Sequence, residues 1–134
     1  MNKKTFIVED DANLLYSLQA KLSLVGVEVE TNSGNTGISE LINDIKKAKP
    51  NFIILDLILP KKNGFEVLET IRQDPLLEKL PVIIISNLGQ PSDIERGKAL
   101  GVIDYFIKAR LSVEELVNKV KKQTEAAKEL KPGE

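Results

Sequence analysis

The 134-residue chain has no cysteine, no histidine and no tryptophan, and only 4% of it is aromatic. Without cysteine there is no disulfide, no zinc–thiolate site and no thiol nucleophile. Without histidine there is no imidazole for acid–base catalysis near neutral pH, and the chain cannot itself carry a phosphohistidine. An excess of one charge is also lacking, since 19 basic and 20 acidic residues leave a formal net charge of −1. That balance gives no electrostatic basis for direct nucleic-acid binding or for a membrane surface. No apolar stretch is long enough to span a bilayer, and no signal-peptide-like run follows Met1, so a cytoplasmic location is expected. The length suits one domain with a real hydrophobic core, and no internal repeat or low-complexity segment breaks it.

What the chain does have is four short apolar runs, each ending in a polar residue. Phe6-Ile7-Val8 ends in Glu9-Asp10-Asp11, and Phe52-Ile53-Ile54-Leu55 ends in Asp56. Val82-Ile83-Ile84-Ile85 ends in Ser86, and Tyr105-Phe106-Ile107 ends in Lys108. In an open parallel sheet the C-terminal strand ends share one edge, and ligands bind outside it. Acids for a divalent cation, an acceptor carboxylate, a hydroxyl and an amine make up the inventory of a phosphoryl-transfer site. Each residue alone has a plainer reading. Acids at strand ends are common in solvated loops, Asp56 would serve as a cap, and Ser86 would serve in a turn. Lysine is mostly solvated, and Tyr105 would serve as core packing.

Between the strand-like runs lie helical periodicities. Residues 13–25 place Leu14, Leu15, Leu18 and Leu22 on one stripe, and Gly26 stops them. Residues 34–48 carry Ile38, Leu41, Ile42 and Ile45 on one face, and Pro50 closes them. Residues 64–72 and 91–100 read as the next two helices, the latter marginal because internal Gly97 costs about 1 kcal/mol relative to alanine. Ser112-Val113-Glu114-Glu115 is a capping-box pattern that opens a last helix with Val113, Leu116, Val117 and Val120 inward. Strands are expected at 5–8, 27–31, 52–55, 81–85 and 102–107, the second alternating like an edge strand. Residues 1–125 then form one domain, and residues 126–134 a polar helix end and frayed tail. Five strands alternating with five helices predict an α/β fold, a single-domain flavodoxin-like (βα)5 doubly wound parallel sheet in the order 2-1-3-4-5. That order makes the first and third strands neighbours and brings Glu9-Asp10 to Asp56.

Five ordered features now match a known family. They are Val8-Glu9-Asp10-Asp11, Leu55-Asp56-Leu57-Ile58-Leu59-Pro60 with Asn63-Gly64, Ile85-Ser86, Gly101 through Tyr105, and Lys108. Over nearly its whole length the chain resembles the receiver domain of two-component response regulators. The resemblance implies that Glu9 and Asp10 are the acidic pair holding Mg2+, joined by Asp56 and the Ile58 backbone carbonyl. Asp56 matches the phospho-acceptor, Ser86 and Lys108 match the hydroxyl and amine that meet the phosphoryl group, and Tyr105 matches the aromatic switch residue. By that resemblance, phosphate comes from a sensor histidine kinase or histidine phosphotransfer protein. The fourth helix, fifth strand and last helix then meet a downstream protein partner or form a homodimer. Such a chain is a signalling switch rather than a turnover enzyme.

Physical chemistry supports the assignment. Three carboxylates in one crevice repel, each close pair at ~4 Å by roughly 1–4 kcal/mol. A hard dication with oxygen ligands relieves this. A phosphoryl group on Asp56 is then expected to recruit Ser86, shift its loop and let Tyr105 turn inward. Several positions depart from the family pattern. Ala109 follows Lys108 where proline is usual, and the cis bond that proline allows would cost about 2.5–4 kcal/mol there. Asn87 follows Ser86 where a small residue is usual, which would narrow access to Asp56. Apolar Ile58 and Leu88 flank the expected path of attacking water, so slow phosphate loss is expected. Other readings stay open: a pseudo-receiver acting as a constitutive interaction module, a flavodoxin, or an aspartyl phosphatase. The acidic first loop would repel a flavin phosphate, and Ile58 cannot be the general acid that such a phosphatase needs. No output domain is evident in the sequence, so a stand-alone receiver or one excised from a longer regulator is expected.

Overall fold

A computed structural model describes residues 3–129, with side chains through Thr124. The chain alternates as read: β1 Lys3–Val8, α1 Ala12–Leu24, β2 Val27–Asn32, α2 Ile38–Ala48, β3 Phe52–Asp56. It continues with α3 Gly64–Gln73, β4 Val82–Ser86, α4 Pro91–Ala99, β5 Asp104–Ile107, a 3-10 turn Lys108–Arg110, and α5 Val113–Glu129. The five strands form one sheet in the order β2-β1-β3-β4-β5, and every pairing is parallel. Parallel neighbours need crossover helices, and these cover both faces of the sheet.

Covering explains why the central strands are continuous apolar runs. On one face Phe6, Val8, Ile53, Leu55, Val82 and Ile84 pack with α2 and α3 through residues such as Leu41, Ile45, Leu68 and Ile71. On the other, Ile7, Ile54, Ile83 and Ile85 pack with Leu18 and Leu22 of α1 and with Leu116 and Val120 of α5. Each such side chain, fully buried, stabilises the fold by about 1.5–3 kcal/mol. Edge strand β2 is largely exposed, as its alternation indicates.

Four local differences from the sequence reading have physical causes. First, α2 starts at Ile38 rather than at residue 34. Gly34 has φ of 81°, outside a helix, and a Cβ there would lie 2.8 Å from Leu59 Cδ2. Asn32 Oδ1 accepts the Gly34 N–H at 2.7 Å, and the Lys62 ammonium donates to the carbonyls of Gly34 and Thr36, so this segment is a fastened turn. Second, β5 starts at Asp104 rather than 102. Ile103 N–H still reaches the Val82 carbonyl at 2.9 Å, but regular pairing begins one residue later. Third, only half of the capping box forms: Ser112 Oγ accepts the Glu115 N–H at 3.3 Å, and no return bond is present among the described residues. Fourth, Gly97 does more than weaken α4. It is the buried residue of that helix, and a Cβ there would meet Ile84 Cδ1 at 3.0 Å and Tyr105 Cδ2 at 3.2 Å. Glycine lets α4 lie close on β4 and β5. The last helix runs to Glu129, and the expected tail at 130–134 lies outside the described residues.

Candidate functional site

Where β1 and β3 end side by side, three carboxylates converge. Val8 pairs with Leu55 in the last register of that ladder, so Glu9 and Asp56 follow it side by side. One carboxylate oxygen from each of Glu9, Asp10 and Asp56 lies within 4.8 Å of the others. Glu9 and Asp56 are buried, whereas Asp10 is exposed. The neighbouring Asp11 belongs to α1: its carboxylate caps the helix by accepting the N–H groups of Asn13 and Leu14. An acid immediately before an apolar helical stripe is the sequence signal of that role.

Lys108 comes in from β5. Its ammonium donates to Glu9 Oε2 at 2.8 Å and to Asp56 Oδ2 at 3.1 Å. The contact with Glu9 was not legible in the sequence, because 99 residues separate the two. Burial opposes the charge on Lys108, but Glu9 and Asp56 outweigh it and raise its pKa, so the amine stays protonated. Burial pushes Glu9 up to about 7 despite the hydrogen bonds from Lys108 and from the Asp11 N–H, and the charge on Asp56 adds to the rise. Glu9 Oε2 accepts both of those bonds, while its buried Oε1 has no partner among the described residues. A buried carboxylate oxygen without a partner is costly, and a hard dication is the group that satisfies it. The donor set therefore fits a divalent metal on oxygen ligands. Asp56 itself is held by the Ile58 N–H, which donates to Oδ1 at 3.0 Å, and Ile58 bridges to Asn63 across the loop that opens α3.

Ser86 and Tyr105 sit next to this centre on β4 and β5. The buried Ser86 hydroxyl accepts the Leu88 N–H at 3.2 Å, and no hydrogen bond joins it to Asp56 among the described residues. The Tyr105 hydroxyl donates to the Leu88 carbonyl, so the ring is docked on the loop after Ser86. Burial, together with Asp93 and Asp56, pushes its pKa up to about 12, which keeps it a donor. The Lys108 loop resolves into a 3-10 turn, with no cis peptide bond among the described residues. Asn87 Oδ1 accepts the Ala109 N–H at 2.9 Å, a bond joining the two positions that depart from the family pattern.

Comparison with known proteins decides the family. The family model for the response regulator receiver domain matches residues 5–121. The chain belongs to the response regulator receiver domain family. Among curated relatives, this receiver is 34% identical to the phosphate regulon transcriptional regulatory protein PhoB of Rhizobium meliloti (strain 1021), over 96% of the chain and 55% of that protein. It is 33% identical to the alkaline phosphatase synthesis transcriptional regulatory protein PhoP of Bacillus subtilis (strain 168), over 81% of the chain and 43% of that protein. The receiver thus spans about half the length, or less, of such relatives. Among solved structures it is similar to the phosphorylated cyanobacterial phytochrome response regulator RcpA, with a TM-score of 0.74 and 33% identity over 93% of each chain. The Mn(2+)-bound response regulator Rcp1 superposes with a TM-score of 0.72 at 27% identity, over 90% of each chain. No helix among the described residues of this receiver is long and apolar enough to cross a membrane.

Proposed function

We propose that this receiver accepts a phosphoryl group on Asp56 from the phosphohistidine of a sensor histidine kinase or histidine phosphotransfer protein, and acts in the cytoplasm as a switch rather than as a turnover enzyme. The observation that carries this is the cluster itself: three carboxylates within 4.8 Å, with the Lys108 ammonium bonded to two of them. Glu9, Asp10, Asp56 and the Ile58 backbone carbonyl would hold Mg2+. When bound, the ion supplies positive charge that offsets the repulsion between acceptor and phosphoryl oxygens. The phosphorylated RcpA and Mn(2+)-bound Rcp1 lend support by similarity.

The chain's own residues divide the work. The Ile58 N–H orients the Asp56 carboxylate, and Lys108 places a fixed positive charge beside it. A carboxylate oxygen of Asp56 forms the new O–P bond while the donor's N–P bond breaks, and the electron pair leaves on the imidazole nitrogen. The Ser86 hydroxyl, whose oxygen accepts the Leu88 N–H, turns its own O–H to donate to the phosphoryl group. That pull moves the loop on which the Tyr105 hydroxyl is seated. The change is read at α4, β5 and α5 by a downstream protein or a second copy of the chain. A local charge thus biases a lightly anchored element, since Gly97 is the buried residue of α4.

Intact-mass measurement after incubation with Mg2+ and acetyl phosphate tests the reading. One phosphoryl adduct on the wild type and none on Asp56→Asn is the expected result. A folded, Mg2+-binding wild type that takes no adduct from acetyl phosphate or from a phosphorylated histidine donor would overturn it, and would favour a constitutive interaction module.

A further inference from the structure

The loops after β4 and β5 run side by side beyond the last pair of the ladder, Ser86 with Ile107. Ser86 is the last residue of β4 and Lys108 the first after β5, and both belong to the site. Past them the backbone ladder has ended, so something else must fix the turn that carries Lys108. The Leu111 N–H bonds the Lys108 carbonyl at 3.2 Å, which closes the turn on itself without attaching it elsewhere. Besides the Lys108 ammonium and the packing of Leu111 on the core, the Asn87 side chain ties the turn to the Ser86 loop: its Oδ1 accepts the Ala109 N–H at 2.9 Å.

We infer that Asn87 is a positioning residue whose side-chain carbonyl clamps the Lys108–Ala109 turn to the Ser86 loop and so holds the Lys108 ammonium against Asp56. The inference rests on the reading of Asp56 as phosphoryl acceptor. The chemistry makes residues 87 and 109 depend on each other. The clamp needs a backbone N–H at 109, which a proline would lack, and an acceptor at 87, which a small apolar residue would lack. Lysine brings a long stem with four rotatable bonds, so the position of its own backbone decides whether its charge reaches two carboxylates at once. The clamp also yokes the hydroxyl and the amine that would meet the phosphoryl group, because the loop that moves with Ser86 carries Asn87 with it.

A steric effect of Asn87 on access to Asp56 is separable by choice of variant. Asn87→Leu keeps the branched four-atom side chain, though bulkier, and removes the acceptor, and Asn87→Asp keeps an acceptor. Two readouts apply: exchange protection of the Ala109 amide by NMR, and the rate of adduct formation with acetyl phosphate and Mg2+. Urea unfolding checks that each variant is folded. Protection of Ala109 is expected in the wild type and in Asn87→Asp, and its loss in Asn87→Leu. The adduct rate of Asn87→Leu is expected to fall about fivefold, the scale of one net hydrogen bond. Equal adduct rates for wild type and Asn87→Leu, whatever the change in urea stability, would overturn the clamp while leaving the acceptor reading intact. An unprotected Ala109 amide in the wild type would also overturn it. No adduct on the wild type would overturn the acceptor reading, and the clamp's role with it, even with Ala109 protected.

Discussion

Replacing Glu9 with glutamine should stabilise the metal-free receiver at pH 8 and leave it nearly unchanged at pH 5. The reason is the fully buried carboxylate whose pKa burial raises from 4.5 to about 7. Between those values the folded chain keeps a proton that the unfolded chain has lost. Stability from this group is therefore complete below about pH 4.5 and is lost as pH rises to about 7. At about 1.4 kcal/mol per pH unit, that interval amounts to about 3 kcal/mol at most. Glutamine resembles the protonated acid and does not titrate. Its oxygen can keep the bonds from the Asp11 N–H and Lys108, while its NH2 takes the place of Oε1, which has no partner to lose among the described residues. The expected gain is about 1–3 kcal/mol at pH 8 and less than about 1 kcal/mol at pH 5. Urea unfolding in EDTA at the two pH values measures it. In Mg2+ the order should reverse. A ligand at a hundredfold its Kd adds about 2.7 kcal/mol to the wild type, and the variant, one carboxylate short, should gain much less. A stability difference between wild type and Glu9→Gln that is the same at pH 5 and pH 8 in EDTA would refute the reasoning.

Gly64→Ala should destabilise the fold by about 3 kcal/mol or more, because a Cβ there would lie 2.3 Å from Leu57 Cα and 2.7 Å from its carbonyl oxygen, backbone that cannot repack. A urea midpoint close to wild type would contradict this. Ile58→Asn should shorten the lifetime of the phosphorylated receiver, because the half-exposed isoleucine beside Asp56 cannot orient a water and an amide can. Decay of the adduct followed by intact mass reads this directly, and an unchanged lifetime would sink it.

Much of the fold is legible in the sequence because its signals are local. Apolar runs such as 52–55 and 82–85 need no partner to be read as strands covered on both faces, and the stripe through Leu41, Ile42 and Ile45 needs none to be read as a helix. Strand order follows from general rules for parallel sheets, and with it the meeting of Glu9, Asp10 and Asp56. Boundaries were less legible. The start of α2 depends on Leu59 standing over Gly34 and on Lys62 reaching back to Gly34 and Thr36, contacts between segments distant in sequence.

The sequence by itself determined the fold class and the residue types at the sheet edge, since hydrophobic period and strand-end position are carried by neighbouring residues. Only the tertiary structure decided how those residues are joined. It placed the Lys108 ammonium on Glu9 as well as Asp56, seated Tyr105 on the Leu88 carbonyl, and tied Asn87 to Ala109. Each of these is a distance of a few ångströms between segments far apart in the chain. Such distances are set by how helices and strands pack, which no local pattern of residues records.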